Sequence, residues 1–211
     1  MRRYASRPRT SNRPRASGKI FVVSAPSGCG KTTLCRKLLS GGLGLAGSVS
    51  VTTRPPRPGE KDGSDYRFVS KRRFDGMARR GAFLEHEENF GYSYGTPRAF
   101  VERRLARGLA ALLSIDVKGA MKVRRAYPGS SVLIFLLPPS MAALKKRLRK
   151  RRSDSPAVIG RRLALAKREL SYKGRYDYRI VNDDIEKAYA RLRGVIAGEL
   201  GMLFVKKERP I

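Results

Sequence analysis

The ten residues Ser24-Ala25-Pro26-Ser27-Gly28-Cys29-Gly30-Lys31-Thr32-Thr33 hold the parts of a phosphate site. Small residues allow successive backbone N–H groups to curl around an anion. A helix N-terminus facing the same anion adds its dipole. A lysine then reaches the outer phosphate oxygens, and the hydroxyl beside it holds a divalent cation. Gly28, Gly30, Lys31 and Thr32 meet these demands, with Ala25 standing where the strict spacing has its first glycine. The flanks supply the context that such a loop needs. Residues 19–25 carry a continuous apolar run, as in a strand buried on both faces of a parallel sheet. Residues 32–40 read as a helix that Gly41-Gly42 closes.

The elements that must position this loop follow the same alternation. Strand patterns occupy 49–53, 109–115, 131–137 and 178–181, and helical patterns occupy 97–107, 141–151, 156–172 and 184–204. Strands alternating with helices predict βαβ units and a mostly parallel sheet covered on both sides, an α/β fold. Two stretches interrupt the order. Residues 54–96 are polar, aromatic and rich in turn residues, which suits an insertion at one edge. Residues 147–156 crowd Arg, Lys, Ser, Asp and Pro between two helices, which suits a mobile flap.

Composition sets the boundaries of function. The chain has 211 residues, enough for one buried α/β core. The strongest apolar run, 132–137, is strand-sized, so no membrane span is predicted. A single histidine rules out a His/Cys zinc cluster, and two cysteines six positions apart on a turn and a helix suggest no disulfide. A reducing cytoplasm fits this usage. The net charge is +30, with 47 Lys and Arg against 17 Asp and Glu. Such a field draws polyanions of every kind, and by itself carries no specificity. Residues 1–17, rich in Arg, Ser and Pro, are too polar to bury a core and read as a disordered basic arm.

Seven blocks then occur in one order between about residues 18 and 205. They are SAPSGCGKTT, SVSVTTRPPRPGE, DYRFV, FLEHEENFGYSYGT, IDVKGA, PPS followed by KKRLRKR, and YDYRIVNDD. Together they resemble the guanylate kinases. The resemblance implies a P-loop NTPase three-layer α/β/α fold over 18–207, with a core of 18–49, 97–139 and 176–207. A GMP-binding region, 50–96, and a lid, 140–175, would be set into it. It implies transfer of the γ-phosphoryl group of ATP to GMP and dGMP, with Mg²⁺. Lys31, Arg54, Arg147, Arg151 and Arg162 are the implied catalytic set. ATP would lie on Ala25, Pro26, Ser27, Gly28, Cys29, Gly30, Lys31, Thr32 and Thr33, with Arg147 and Arg151 above it and Thr32 on the metal. GMP would meet Ser50, Arg54, Arg57, Tyr66, Glu85, Tyr94, Thr96, Asp116 and Arg162.

The residue types suit those roles. Arg54 and Arg57 put two planar donor forks on a Pro-stiffened loop, where a phosphate dianion would be gripped. Tyr66 and Tyr94 add phenolic hydroxyls. Guanine presents N1–H and N2–H₂ as donors and O6 as an acceptor. A carboxylate such as Glu85 accepts from the donors, Ser50 is placed to donate to O6, and Thr96 to contact the base edge. Asp116 should organise the base and Arg54. Arg147 and Arg151, four positions apart, share a helical face that could close over phosphates. One departure touches the metal: Ser114 stands where the family has the first acid of an Asp-x-Asp pair.

Two other readings use part of this pattern. A catalytically inactive guanylate-kinase-like binding module would share the fold, and a basic nucleic-acid-binding protein would exploit the charge. The intact Lys31 speaks against the first. Non-specific electrostatic contact is all that the charge alone predicts for the second.

Overall fold

The computed structural model describes residues 18–150 and 155–202. The basic arm, Arg151 and the end of the last predicted helix lie outside the described residues. The chain opens with β1 (Ile20–Ser24), α1 (Lys31–Ser40), β2 (Ala46–Gly47), β3 (Val51–Thr52), β4 (Arg67–Phe68) and α2 (Lys71–Arg79). It continues with β5 (Phe83–Asn89), β6 (Tyr92–Pro97), α3 (Arg98–Ala106), β7 (Ala111–Ser114) and α4 (Val117–Ala126). The last elements are β8 (Ser131–Leu137), α5 (Met141–Lys150), α6 (Pro156–Leu170), β9 (Tyr178–Val181) and α7 (Ile185–Glu199).

Five strands pair in parallel in the order β2-β7-β1-β8-β9. Alternation along each strand assigns its two faces. Phe21 and Val23 of β1, with Ile134 and Leu136 of β8, pack against Leu34 and Leu38 of α1, Leu144 and Leu148 of α5, and Leu192 and Ile196 of α7. Ile20 and Val22, with Leu133 and Phe135, face the other way, onto Val101 of α3 and Val117, Ala120 and Val123 of α4. These are the three layers expected. Each fully buried Leu or Phe contributes about 1.5–3 kcal/mol, so the central strands form a rigid base for the loops at their C-terminal ends.

A second sheet, order β4-β3-β6-β5, carries α2 against it through Val51, Phe74 and Phe83. Here the structure corrects the sequence reading. The strand predicted at 49–53 joins this sheet, antiparallel to β6 and parallel to β4, not the parallel core. The turn-rich insertion also holds a regular hairpin, β5–β6, closed by Phe90-Gly91 with positive φ at both residues (53° and 79°). Both signs match a type I′ turn. Its strand FLEHEEN turns charged residues to solvent, which hides the apolar alternation. Helix α4 was unanticipated too: it has no acid in its first turn, and its start is set by Asp116, whose side chain caps Gly119 N.

Candidate active site

A cavity of about 280 Å³ opens between the C-terminal ends of β1 and β7 and the second sheet. Ala25, Pro26, Ser27, Gly28, Gly30, Lys31, Thr32 and Thr33 line one side, and Ser50, Arg54, Arg57, Tyr66, Glu85 and Tyr94 line the other. Ser114, Asp116, Arg162 and Glu169 also line it. Residues distant in sequence therefore meet around one cavity.

Gly30 caps α1 in the left-handed region (φ 81°), and a Cβ there would lie 2.5 Å from Asn182 Nδ2. Glycine is required on both counts. Asn182, almost wholly buried, donates to the Cys29 carbonyl at 2.8 Å and so fixes the loop peptide. The Lys31 ammonium donates to the Ile115 carbonyl at 3.0 Å, at the end of β7. Burial pushes its pKa down, while Cys35, Asp116, Glu169 and Glu85 act to keep it charged. Arg162, on α6, donates to Ser27 Oγ at 2.9 Å, and its guanidinium lies 5.9 Å from the exposed Phe90 ring. It thus touches the phosphate loop and the tip of the β5–β6 hairpin at once.

Two members of the ATP set sit differently from the expectation. The Cys29 side chain is wholly buried, leaving only its backbone for the loop, and burial raises its thiol to about 12, where it stays protonated. Arg147 does not line the cavity; it donates to the Asn182 carbonyl at 2.8 Å, one step behind the loop. Arg151 lies outside the described residues.

On the facing side, Arg54 is buried and paired through one guanidinium nitrogen with both oxygens of Glu60, at 2.8 and 2.9 Å. Glu60 also accepts from Arg57 N at 2.8 Å, so one carboxylate shapes the whole arginine loop. Burial opposes the charge of Arg54, but Glu60 outweighs it and raises the pKa. The guanidinium lies 5.4 Å from the Tyr66 ring centroid, and Tyr66 meets Tyr94 edge-on at 6.1 Å. Both phenols therefore border the arginine cluster.

Glu85 is 6% exposed, and burial raises its pKa to about 7. Thr96, opposite it across the hairpin, donates its hydroxyl to Glu85 Oε1 at 2.5 Å. Thr96 is fully buried, lies outside the cavity lining and holds the carboxylate through this bond. Asp116, expected to organise Arg54, borders the cavity but its carboxylate caps α4, and Arg54 pairs with Glu60 instead. Ser114 is exposed at the end of β7, facing the cavity.

Sequence reasoning missed Glu60, Phe90, Asn182 and Glu169. Glu60 was the first acid in the chain, three residues after Arg57, and that position was a usable signal. Glu169 gave none: it sits in a cationic helix, yet it is buried in the cavity wall, and burial lifts its carboxyl to about 7 despite Lys31.

A family model for guanylate kinase matches residues 17–199. The chain belongs to the guanylate kinase family. Guanylate kinases from Caulobacter vibrioides and Methylococcus capsulatus are each 48% identical to it. The first aligns over 86% of this chain and 85% of its own length, the second over 92% and 93%. The crystal structure of guanylate kinase from Anaplasma phagocytophilum, 38% identical, superposes with a TM-score of 0.73 over 87% of each chain. Family membership makes the chain an enzyme, a nucleoside monophosphate kinase, and accounts for the two facing halves of the cavity. The guanylate kinase fold is present in full: the parallel core, the second sheet and the α5–α6 pair. Among the described residues no helix is long and apolar enough to cross a membrane.

Proposed function

We propose that this chain transfers the γ-phosphoryl group of ATP to GMP and dGMP in the cytoplasm, with the residue roles that follow. The observation that carries the reading is one cavity with an anion loop on one wall and, on the other, a buried carboxylate beside an arginine–tyrosine cluster. ATP phosphates lie on residues 25–33 with Lys31 at the outer oxygens. The GMP phosphate lies on Arg54, Arg57, Tyr66 and Tyr94. Glu85 accepts from guanine N1–H and N2–H₂, with Ser50 at O6 and Asp116 bordering the base. Arg162, in the cavity wall, gathers negative charge between the nucleotides, and Arg147 and Arg151 are the further cations assigned to the ATP phosphates. The second sheet (50–96) is then the acceptor region and 140–175 the lid that excludes water.

Phosphoryl transfer asks a protein for placement and charge, not covalent chemistry. Among the described residues no cluster of three His, Cys, Asp or Glu side chains could hold an ion alone. Thr32 would hold Mg²⁺, which binds through few protein oxygens together with phosphate oxygens. When bound, it supplies charge neutralisation at the phosphate oxygens. Ser114 leaves the cavity floor one carboxylate short of the family pattern, so Ser114→Asp is expected to maintain turnover or raise it severalfold, with the KM for GMP unchanged. A fall in kcat in the coupled assay would contradict this placement.

The pH dependence of GMP affinity follows from Glu85. In the free site its carboxyl titrates at about 7, and guanine donors favour the ionised form. Below that value binding must expel a proton, so affinity falls as pH falls, by about tenfold per unit. Calorimetry between pH 5.5 and 8.5 should show this limb. Glu85→Gln should lack it, which separates it from titration of the ligand's own phosphate near pH 6.

The reading as a whole is tested by a coupled ADP-release assay across GMP, dGMP, AMP, UMP and CMP. GMP and dGMP should turn over, and the others should not rise far above background. Equal rates with AMP would reject it.

A further inference from the structure

We propose that Gly119 determines base specificity. Its missing side chain seats the Glu85 carboxylate against the first turn of α4 and thereby sets where that acid meets the purine. This rests on the reading of Glu85 given above. A Cβ built on Gly119 would lie 2.5 Å from Glu85 Oε2 and 3.0 Å from its Cδ, with Ile115 Cδ1 at 3.3 Å. The first distance is shorter than carbon–oxygen packing permits.

The carboxylate has little room to retreat. Its other oxygen is bound by the buried Thr96 hydroxyl at 2.5 Å. The helix is equally fixed. Asp116 Oδ1 accepts from Gly119 N at 2.8 Å. One turn on, Lys122 donates to the His86 carbonyl at 2.8 Å and pairs with Glu87 at 2.5 Å, tying α4 to β5 directly after Glu85. Glycine inside a helix is destabilising relative to alanine, and at Gly119 the approach of the carboxylate supplies the reason for it. By contrast, Gly160 and Gly194, also helical, have open space where a Cβ would go.

The test compares Gly119→Ala, Glu85→Asp, the double variant and Glu85→Ala by steady-state kinetics with GMP and AMP, alongside thermal melting. Gly119→Ala should raise the KM for GMP ten- to a hundredfold and narrow the preference over AMP. The KM for ATP should stay within twofold. Glu85→Asp draws the carboxylate back by one methylene, so the double variant should be no worse than the poorer single, a non-additive result. Should Gly119→Ala melt much lower, the double variant decides. Recovery of melting and base preference together supports the proposal, and simple addition of the two losses overturns it. Wild-type GMP kinetics in Gly119→Ala, with base preference lost in Glu85→Ala, also overturns it. Unchanged preference in Glu85→Ala rejects the underlying reading instead.

Discussion

Lys31→Ala should lose turnover by at least about 10³-fold while GMP binds as before. Removing one group that neutralises transferring phosphoryl charge costs this much in P-loop enzymes and their relatives. Here the ammonium is placed by its bond to the Ile115 carbonyl at 3.0 Å, at the point where the phosphate loop meets the end of β7. Burial favours its neutral form, and only the surrounding acids oppose that. Triphosphate oxygens would add far more negative charge, so the lysine is expected to be fully protonated when nucleotide is bound. Its hydrogen bond goes to a backbone carbonyl and not to a residue assigned to the GMP phosphate or base. Coupled kinetics should therefore show kcat collapse, and calorimetry should show a GMP dissociation constant within about threefold of wild type, a change below 1 kcal/mol. Retained turnover would remove Lys31 from the reaction.

Glu85→Ala should raise the KM for GMP by about 10²-fold and erase most of the preference for GMP over AMP. The size follows from what is left behind: two donors of guanine would enter a pocket without an acceptor, and each unpaired buried polar group costs about 1–3 kcal/mol. Adenine has a bare lone pair at N1 and no amino group at C2, so the intact carboxylate repels it and the alanine does not. A site built around such pairing discriminates by far more than shape alone allows. The KM for ATP should barely move, since Glu85 stands on β5 in the facing sheet. Unchanged base preference would refute the assignment.

Some of this architecture could be read from residue order, and the limits have physical causes. The phosphate loop was legible because each requirement is local: a glycine that can adopt positive φ, a lysine, a hydroxyl, a buried strand before and a helix after. The parallel sheet was legible because strands covered on both faces are apolar at every position, as in the wholly buried IFVVS of β1. The second sheet was not, because β5 exposes charged residues on one face and β6 is largely polar and small-residue in composition. Roles that depend on pairing across strands were also hidden. Thr96 supports Glu85 only because β5 and β6 align those two residues. Arg54 is held by Glu60 because the proline-rich turn folds back within six residues. Glu169 reaches the cavity because α6 packs beside the phosphate loop, a contact between residues more than a hundred positions apart.

The net charge of +30 remains after the ion pairs of the fold are formed. Glu60, Asp65, Glu87, Asp177, Glu186 and Glu199 are engaged in ion pairs within the fold, which leaves the excess cations to set the outer field. That field would steer anionic nucleotides toward the cavity without selecting among them. In the proposed reading, selection is the task of Glu85.

The most direct test is a crystal structure of the protein with GMP bound. The account places guanine N1 and N2 within hydrogen-bonding distance of the Glu85 carboxylate, and the phosphate among Arg54, Arg57, Tyr66 and Tyr94, facing Lys31 across the cavity. GMP found with its base away from Glu85, or its phosphate on the 25–33 loop, would contradict it.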